Sequence, residues 1–560
     1  VNLDTQLEEP AATASTKRRR RERTAAAPTA ARSAPARVVG VDRRLRTVIP
    51  TAFVAMWVAA IPARTWPAMV AVVAAAAAVV AVGVMTINGF TLLQWTALRI
   101  RVGRRRRRGR AFRPEPAPAQ EAVVAGQAIG VIWDGGQLIC ALDLHGNPHV
   151  PHWLAQRRMQ TSATVPLDVL EKKLAEIDDG QPCSVDLVFD ATRLAITPYS
   201  STYDTQLSGR PVAGSRHTFL IARFAPADTP PYYAARTSLP EAAATTLTRI
   251  GRALAAVGCP CTPLTAAQLD ELAARTRTRA EHWKYLTVDS DAAQTDTLYC
   301  IDPSALNDVR FPELWSVRTD SVIATLRRDS RGRWAGFARI RGVRPPTAPP
   351  LPFFKELPGQ QAAAATIGRP VADTAPLTTI FEPVHSLANL TAPAGPDGQI
   401  LGMTDVGKQL LMPLVPSTER VVAARVHPLY AEQLVLRAAA TGAIVTIVTT
   451  DTARWAPLTG SRIRLAPPGA DLPAGPADLH VYDNMAAPAN PPTTAVELIR
   501  LGGPAPKGDV TIDQRNDLIT VQLDGQTPIT VRTAVDPAEV PHLPTARLPR
   551  PVTRMEVGVR

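Results

Sequence analysis

The chain has little cysteine. Cys140, Cys183, Cys259, Cys261 and Cys300 are the five in 560 residues; odd in number and scattered, they exclude a disulfide framework and fit reduced thiols in a cytoplasm. Cys259 and Cys261 form a lone C-P-C without a second pair at zinc spacing, which argues against a structural metal site. No G-x-S-x-G elbow and no H-E-x-x-H occurs. The nearest approach to a phosphate loop is Gly402 to Gln409, G-M-T-D-V-G-K-Q. It ends on Gln409 where a magnesium-holding hydroxyl is required, and Leu410, Leu411 and Met412 run into Pro413 where a helix should open. This stretch reads as an ordinary turn before a strand.

Charge is missing altogether from the 34 residues Thr65 to Leu98. A run of that length can cross a hydrocarbon core, since about 20 helical residues at about 1.5 Å each span about 30 Å. Two helices are expected, Val48 to Ala63 and Trp66 to Ile87, the second running on through Phe90, Leu92, Leu93 and Trp95 to Ile100. Pro50 and Pro62 mark the ends of the first, and five residues or fewer join the two, which makes a hairpin. A buried hydrophobic hairpin of a soluble protein is the second reading, disfavoured because such helices rarely go so long without charge. A cleaved signal peptide is disfavoured because about 46 residues precede the first apolar segment.

The charge that is present flanks this run. Residues 1–110 carry 20 Lys and Arg against 5 Asp and Glu, a net of +15, whereas the remaining 450 carry 42 against 44, a net of −2. Arg64 is the one positive charge between the two helices, so the positive-inside rule places both ends in the cytoplasm. The residues expected at the membrane interface are Arg43, Arg44, Arg46, Trp66, Arg99, Arg101, Arg104, Arg105, Arg106, Arg107 and Arg108. Anionic membrane lipid is their nearer partner, and no nucleic acid is expected.

The rest divides by composition. Residues 1–46 form a disordered basic tail, poor in large apolar side chains; 47–100 the transmembrane hairpin; and 101–122 a basic, Pro-rich linker. An α/β domain follows over 123–289. Asp134, Gly135 and Gly136 mark a hairpin between Ala128–Trp133 and Gln137–Leu144. Helices are expected over Pro166–Ile177, Pro240–Val257 and Leu264–Ala274, and strands over Ser184–Phe189 and His217–Phe224. Residues 290–344 are strand-rich, and 345–398 form a Pro-rich linker or surface-hugging loop. The C-terminal α/β domain, 399–536, contains a βαβ unit (Val421–Val426, Tyr430–Ala440, Ala443–Thr449) whose strands should be parallel and buried, and 537–560 read as a frayed tail. The fold class is thus a membrane-anchored α/β (α+β) chain, with a two-helix transmembrane hairpin followed by cytoplasmic mixed α/β domains.

Candidate chemistry is sparse. The loop His427-Pro428-Leu429-Tyr430 lacks the glycines that let a backbone approach phosphate. His145, His149 and His152 cluster around Asn147 and Pro148 and read as surface histidines rather than metal ligands; Asp289, Ser290 and Asp291 form a D-x-D that some sugar transferases use for a divalent ion, and read as solvated acids. No catalytic residue, cofactor or metal is assigned.

Several stretches in order resemble one family. They are the basic N-terminus and hairpin, W-D-G-G-Q-L-I-C-A-L from Trp133, S-L-P-E-A-A-A-T-T-L-T-R-I-G-R-A-L-A-A-V-G from Ser238, L-T-A-A-Q-L from Leu264, and L-Y-A-E-Q-L-V-L-R-A-A-A-T-G-A-I-V-T-I-V from Leu429. Together they resemble EccE, the membrane component of actinobacterial type VII (ESX) secretion systems, over most of residues 45–535. The resemblance implies a peripheral subunit of an inner-membrane secretion ring built with EccB, EccC and EccD, its domain in the cytoplasm and no catalytic residues to carry over. The function expected is non-enzymatic assembly of that machine; the alternative is a membrane-tethered enzyme such as a sugar or acyl transferase.

Overall fold

Strand Cys183–Thr192 is buried on both faces, and the first of two large sheets is built outward from it. The computed structural model describes residues 117–547, apart from 148, 156–157, 179–182, 229–232, 234–237, 276–277, 289–293, 373–376, 378–382, 416–419, 476–477 and 534, together with 39–41, 65–67, 70–71, 74, 85–87 and 90–107. Across the first sheet the strands run Thr278–Glu281, Leu286–Val288, Thr295–Ile301, Trp334–Gly342, Ser321–Arg328, Cys183–Thr192, Ser215–Phe224, Gln137–Leu144, Gln127–Asp134 and Gln120–Val124. Every pairing in it is antiparallel, and Cys261–Pro263 and Phe354–Glu356 add short strands beside 137–144 and 295–301. The hairpin at Asp134 forms as expected: Asp134 pairs with Gln137, and Gly135 and Gly136 take φ of 54° and 80°, the region such a turn demands.

One face of this sheet carries Leu187, Phe189, Leu138, Leu142, Leu220 and Phe224 against two helices, Leu167–Asp178 and Leu239–Ala255. The second begins where the sequence signals it, with the Ser238 hydroxyl accepting from the Glu241 N–H, Pro240 in its first turn, and Leu247, Ile250 and Leu254 fully buried.

The other face is apolar at Ile139, Val188 and Ile221, but Asp186 lies among them with no exposure. Its carboxylate accepts from Arg223 (2.8 Å), from Arg327 twice (2.6 and 2.7 Å) and from the Gly368 N–H (2.8 Å). Arg223 also donates to the carbonyls of Val371 and Arg369, and Arg339 to those of Ala365 and Ile367. Gln361 pairs with both backbone groups of Leu298. Residues 357–372, inside the stretch read as a linker or surface-hugging loop, are thereby strapped across the sheet, with Leu357 and Ala364 fully buried.

The second sheet is parallel over Ile463–Ala466, Ile444–Val448, Asp478–Asp483, Thr494–Ile499, Val421–Arg425 and Val510–Arg515. It continues antiparallel through Leu518–Leu523, Ile529–Arg532, Gln399–Met403, Gln409–Met412, His152–Ala155 and Arg158–Gln160. Helix Pro428–Ala440 joins two buried parallel strands, as the βαβ reading requires, but they are not neighbours: Asp478–Asp483 and Thr494–Ile499 lie between them. Gly402 to Gln409 is the turn of the hairpin joining Gln399–Met403 to Gln409–Met412.

The two sheets are interleaved in sequence. Strands 152–155 and 158–160 and helix Ser200–Leu207 leave the first half of the chain to complete the second sheet and its core, where Leu154, Tyr203 and Leu207 are fully buried. The last described turns, Val540–His542 and Pro544–Arg547, dock on helix 428–440: buried Glu539 takes Arg437 (3.0 Å), Gln433 (2.8 Å) and the Tyr199 hydroxyl, and Thr545 bonds Glu432. The expectation of a frayed chain from 537 is thus corrected for 537–547, because a buried carboxylate facing an arginine holds that segment.

Near the N-terminus the expected continuous helix from Trp66 to Ile100 is also corrected. Residues 66–67, 70–71 and 74 are helical, but Met85–Ile87 and Phe90–Thr91 are strands, and a separate helix spans Leu92–Arg107. Ile87 pairs with Phe90 across two residues, Asn88 and Gly89, a strong hairpin signal that the uncharged composition had masked. Val39–Val41 pairs in turn with Met85–Ile87. Among the described residues no helix is long and apolar enough to cross a membrane, and most of the expected hairpin, including Val48 to Ala63, lies outside them.

Burial alone would raise the Asp186 carboxyl, but Arg223 and Arg327 outweigh it and hold it well below the usual carboxylate range. A depressed folded value means its stabilisation is fully present above the unfolded pKa of about 4 and is lost as pH falls. Asp186→Asn, which removes the buried negative charge facing both guanidinium groups, is expected to cost about 3–5 kcal/mol in urea unfolding at neutral pH and to flatten the acid limb of stability against pH.

Candidate functional site

Helix Leu92–Arg107 places Trp95, Leu98, Arg99 and Val102 on one face. Leu98 and Val102 are buried, while Ile100, Arg101 and Arg104 point to solvent. The face docks on Trp283, in the turn between strands Thr278–Glu281 and Leu286–Val288 at the edge of the first sheet. The rings of Trp95 and Trp283 lie 5.3 Å apart at 37°, and the Arg99 guanidinium sits 5.7 Å from the Trp283 centroid, within cation–π range. Gly359 backs the same ring: a Cβ there would lie 2.6 Å from it, and the Gly359 N–H donates to the Trp283 carbonyl (2.7 Å). The 357–372 strap, the sheet edge and the basic helix therefore meet at one indole. The arginines crowding the last turns of the helix suit the negative end of its dipole.

Of the expected interface residues, Arg99, Arg101 and Arg104 are exposed on this helix, Arg105, Arg106 and Arg107 form its last turn, and Trp66 is 74% exposed at the start of its helical residues. Arg43, Arg44, Arg46 and Arg108 lie outside the described residues, as do Asp289, Ser290 and Asp291. Sequence reasoning missed Trp283; the signal was a tryptophan amid the charged run R-T-R-T-R-A-E-H-W-K from Arg275.

The histidines divide. His149 and His152 are 2% and 1% exposed, not on the surface as expected, because residues 152–155 pair with 409–412 inside the second sheet. His149 donates from Nδ1 to the Pro413 carbonyl (2.9 Å), and burial pushes each imidazole down to about 4. His145 stays at the rim, 2.7 Å from the Thr262 hydroxyl and 3.6 Å from Asp143. Among the described residues no group of His, Cys, Asp and Glu is placed to hold a metal. The described cysteines are all free; burial raises the Cys259 and Cys261 thiols to about 12 and 11, far from a reactive thiolate.

The parallel sheet has a crevice where such folds bind ligands, at the carboxyl ends of Ile444–Val448 and Asp478–Asp483, whose onward connections part in opposite directions. It is filled by the chain itself. Asp483 accepts from the Thr449 hydroxyl (3.0 Å), the Trp455 indole (2.8 Å), Asn484 (2.8 Å) and Arg454 (3.3 Å), and Trp455 is fully buried beneath the Arg454 guanidinium.

A sheet-rich mixed α/β body clasping a basic helix is the class of protein that this arrangement defines. Residues 212–296, from strand 215–224 through the Trp283 turn, match a family described as "Putative type VII ESX secretion system translocon, EccE". The chain is 26% identical over 277 residues to the ESX-2 secretion system protein EccE2 of Mycobacterium tuberculosis (strain CDC 1551 / Oshkosh). That alignment spans 48% of this chain and half the length of the relative. Both comparisons support an EccE-family component of type VII secretion, in line with the resemblance read from the sequence.

Two outcomes follow from this geometry. Trp283→Ala is expected to release helix 92–107 and raise tryptic cleavage at Arg99, Arg101 and Arg104 several-fold in limited proteolysis, leaving the unfolding of the body nearly unchanged. Because the unfolded histidines take up protons near 6.5 and the folded ones only near 4, their share of stability is complete above pH 6.5 and is lost as pH falls toward 4. The double variant His149→Asn with His152→Gln should show a shallower loss of unfolding midpoint between pH 6.5 and 4.5.

Proposed function

We propose that this chain is a non-enzymatic structural subunit of a type VII (ESX) secretion complex in the inner membrane. In this reading the part of residues 47–100 that precedes the strand at Met85 carries a two-span anchor, both termini and the large body are cytoplasmic, and the body contacts EccB, EccC and EccD. Arg43, Arg44, Arg46, Trp66, Arg99, Arg101 and Arg104 to Arg108 lie against anionic lipid. Against the domain division read from composition, the 357–372 strap belongs physically to the first sheet, and residues 152–160, 200–207 and 537–547 to the second sheet and its core.

The observation that carries the reading is the clasp at Trp283, within the stretch that matches the EccE family. A helix rich in arginine and fixed to a sheet edge is a strut, able to pass the position of a membrane segment to a cytoplasmic body. The pairing of Val39–Val41 with Met85–Ile87 supports the same reading, since it brings together the two ends of the apolar stretch, as an out-and-back hairpin requires. The self-filled crevice at Asp483 favours a scaffold over an enzyme.

Gentle detergent extraction from the native membrane, followed by native sizing and identification of co-migrating proteins, tests this. The expected result is a megadalton-scale particle containing a multi-ATPase-domain subunit, from which a chain lacking residues 47–100 is absent. A monomer or dimer that persists when detergent dissociation has been excluded, or unchanged co-purification of the deletion variant, overturns it.

A further inference from the structure

The junction between the two sheets contains a small cavity lined by Ala191, Arg193, Val212, Ala213, Trp315, Val317 and Val322. Arg193 is 6% exposed and uses most of its donors: Nε to Asp204 (2.8 Å), and Nη1 to the carbonyls of Arg210 and Trp315. Its Nη2 is buried with no partner, and so is the indole Nε1 of Trp315, 4% exposed. Trp315 is held from behind by Arg216, whose guanidinium lies 4.8 Å from its ring centroid and is itself fixed to Asp397 (3.0 and 3.1 Å).

Two buried donors on one cavity call for an acceptor. A water could accept from both, but the lining side chains of Ala191, Val212, Ala213, Val317 and Val322 offer no acceptor for its hydrogens. The charge balance also favours an anion. Arg193, Arg210, Arg216 and Arg318 surround the junction, while Asp204, shared by Arg193 and Arg318, and Asp397 are the carboxylates they bond. Arg210 bonds the carbonyls of Leu207 and Gln206 and the side chain of Gln409, and burial and Arg193 push its guanidinium down, as unneutralised positive charge would.

We infer that this cavity binds one monovalent anion of halide size between Arg193 Nη2 and Trp315 Nε1. The binding surface comes from strand 183–192 and its extension, the turn at Trp315, and the 212–213 segment, where Val212 belongs to the second core.

The test is thermal unfolding of the full-length chain in detergent at constant ionic strength, in sodium chloride, sodium bromide or sodium gluconate. Both halides are expected to raise the midpoint saturably by roughly 2–4 °C over gluconate. Trp315→Phe keeps the ring under Arg216 but removes the N–H, and should lose most of that shift; Arg318→Gln, which removes one positive charge at an exposed position, should keep it. Crystals grown in bromide should give an anomalous peak between Arg193 and Trp315, which decides the matter even if Trp315→Phe fails to fold. Equal midpoints in halide and gluconate, an undiminished shift in Trp315→Phe, or an ordered water without a bromide peak would overturn the inference.

Discussion

A carboxylate with no exposure has to be paired, because an isolated buried charge costs several kcal/mol even after the surroundings relax. Asp186 meets that demand with two arginines from neighbouring strands and a backbone N–H from the 357–372 strap. Arg223 then has donors left over, and they go to carbonyls of the same strap. The consequence is architectural: the far face of the first sheet is covered without a helix, by an irregular segment whose backbone groups are satisfied by side chains of the sheet. Gly359 belongs to that segment, so the seat of Trp283, and with it the docking of helix 92–107, depends on the strap being in place.

The same logic recurs at the other buried charges. Arg216 with Asp397 and Arg437 with Glu539 each join segments from different parts of the chain, and each lies where the two cores meet or where the C-terminal turns dock. Breaking one partner of such a pair is costly, so these contacts specify which segments come together more than they add net stability. A body whose halves are interleaved and pinned by charge cannot slide at an internal linker.

What was legible from residues alone was local. The Asp134 hairpin, the helices expected over Pro240–Val257 and Leu264–Ala274 and the strand, helix, strand run around Leu434 all formed close to their expected bounds, because periodicity and turn residues act over a few positions. The reduced thiols follow from cysteine number and spacing. The absence of charge from residues 65–98 marked the stretch as apolar, but composition outweighed the Asn88-Gly89 turn signal, and the strands beside it were read as helix.

Tertiary structure decided the rest, since the partners are far apart in sequence. Nothing near His152 marks it as part of a strand beside 409–412, and nothing near Glu539 announces Arg437 and Tyr199. Proline content marked 345–398 as irregular, which it is, but whether an irregular segment floats or is strapped down depends on arginines more than a hundred residues away in strand 215–224. The resemblance to EccE rested on the order of short apolar stretches, which one sequence carries by itself. The clasp at Trp283 required a folded sheet edge to bring an indole, a glycine and a basic helix to one point.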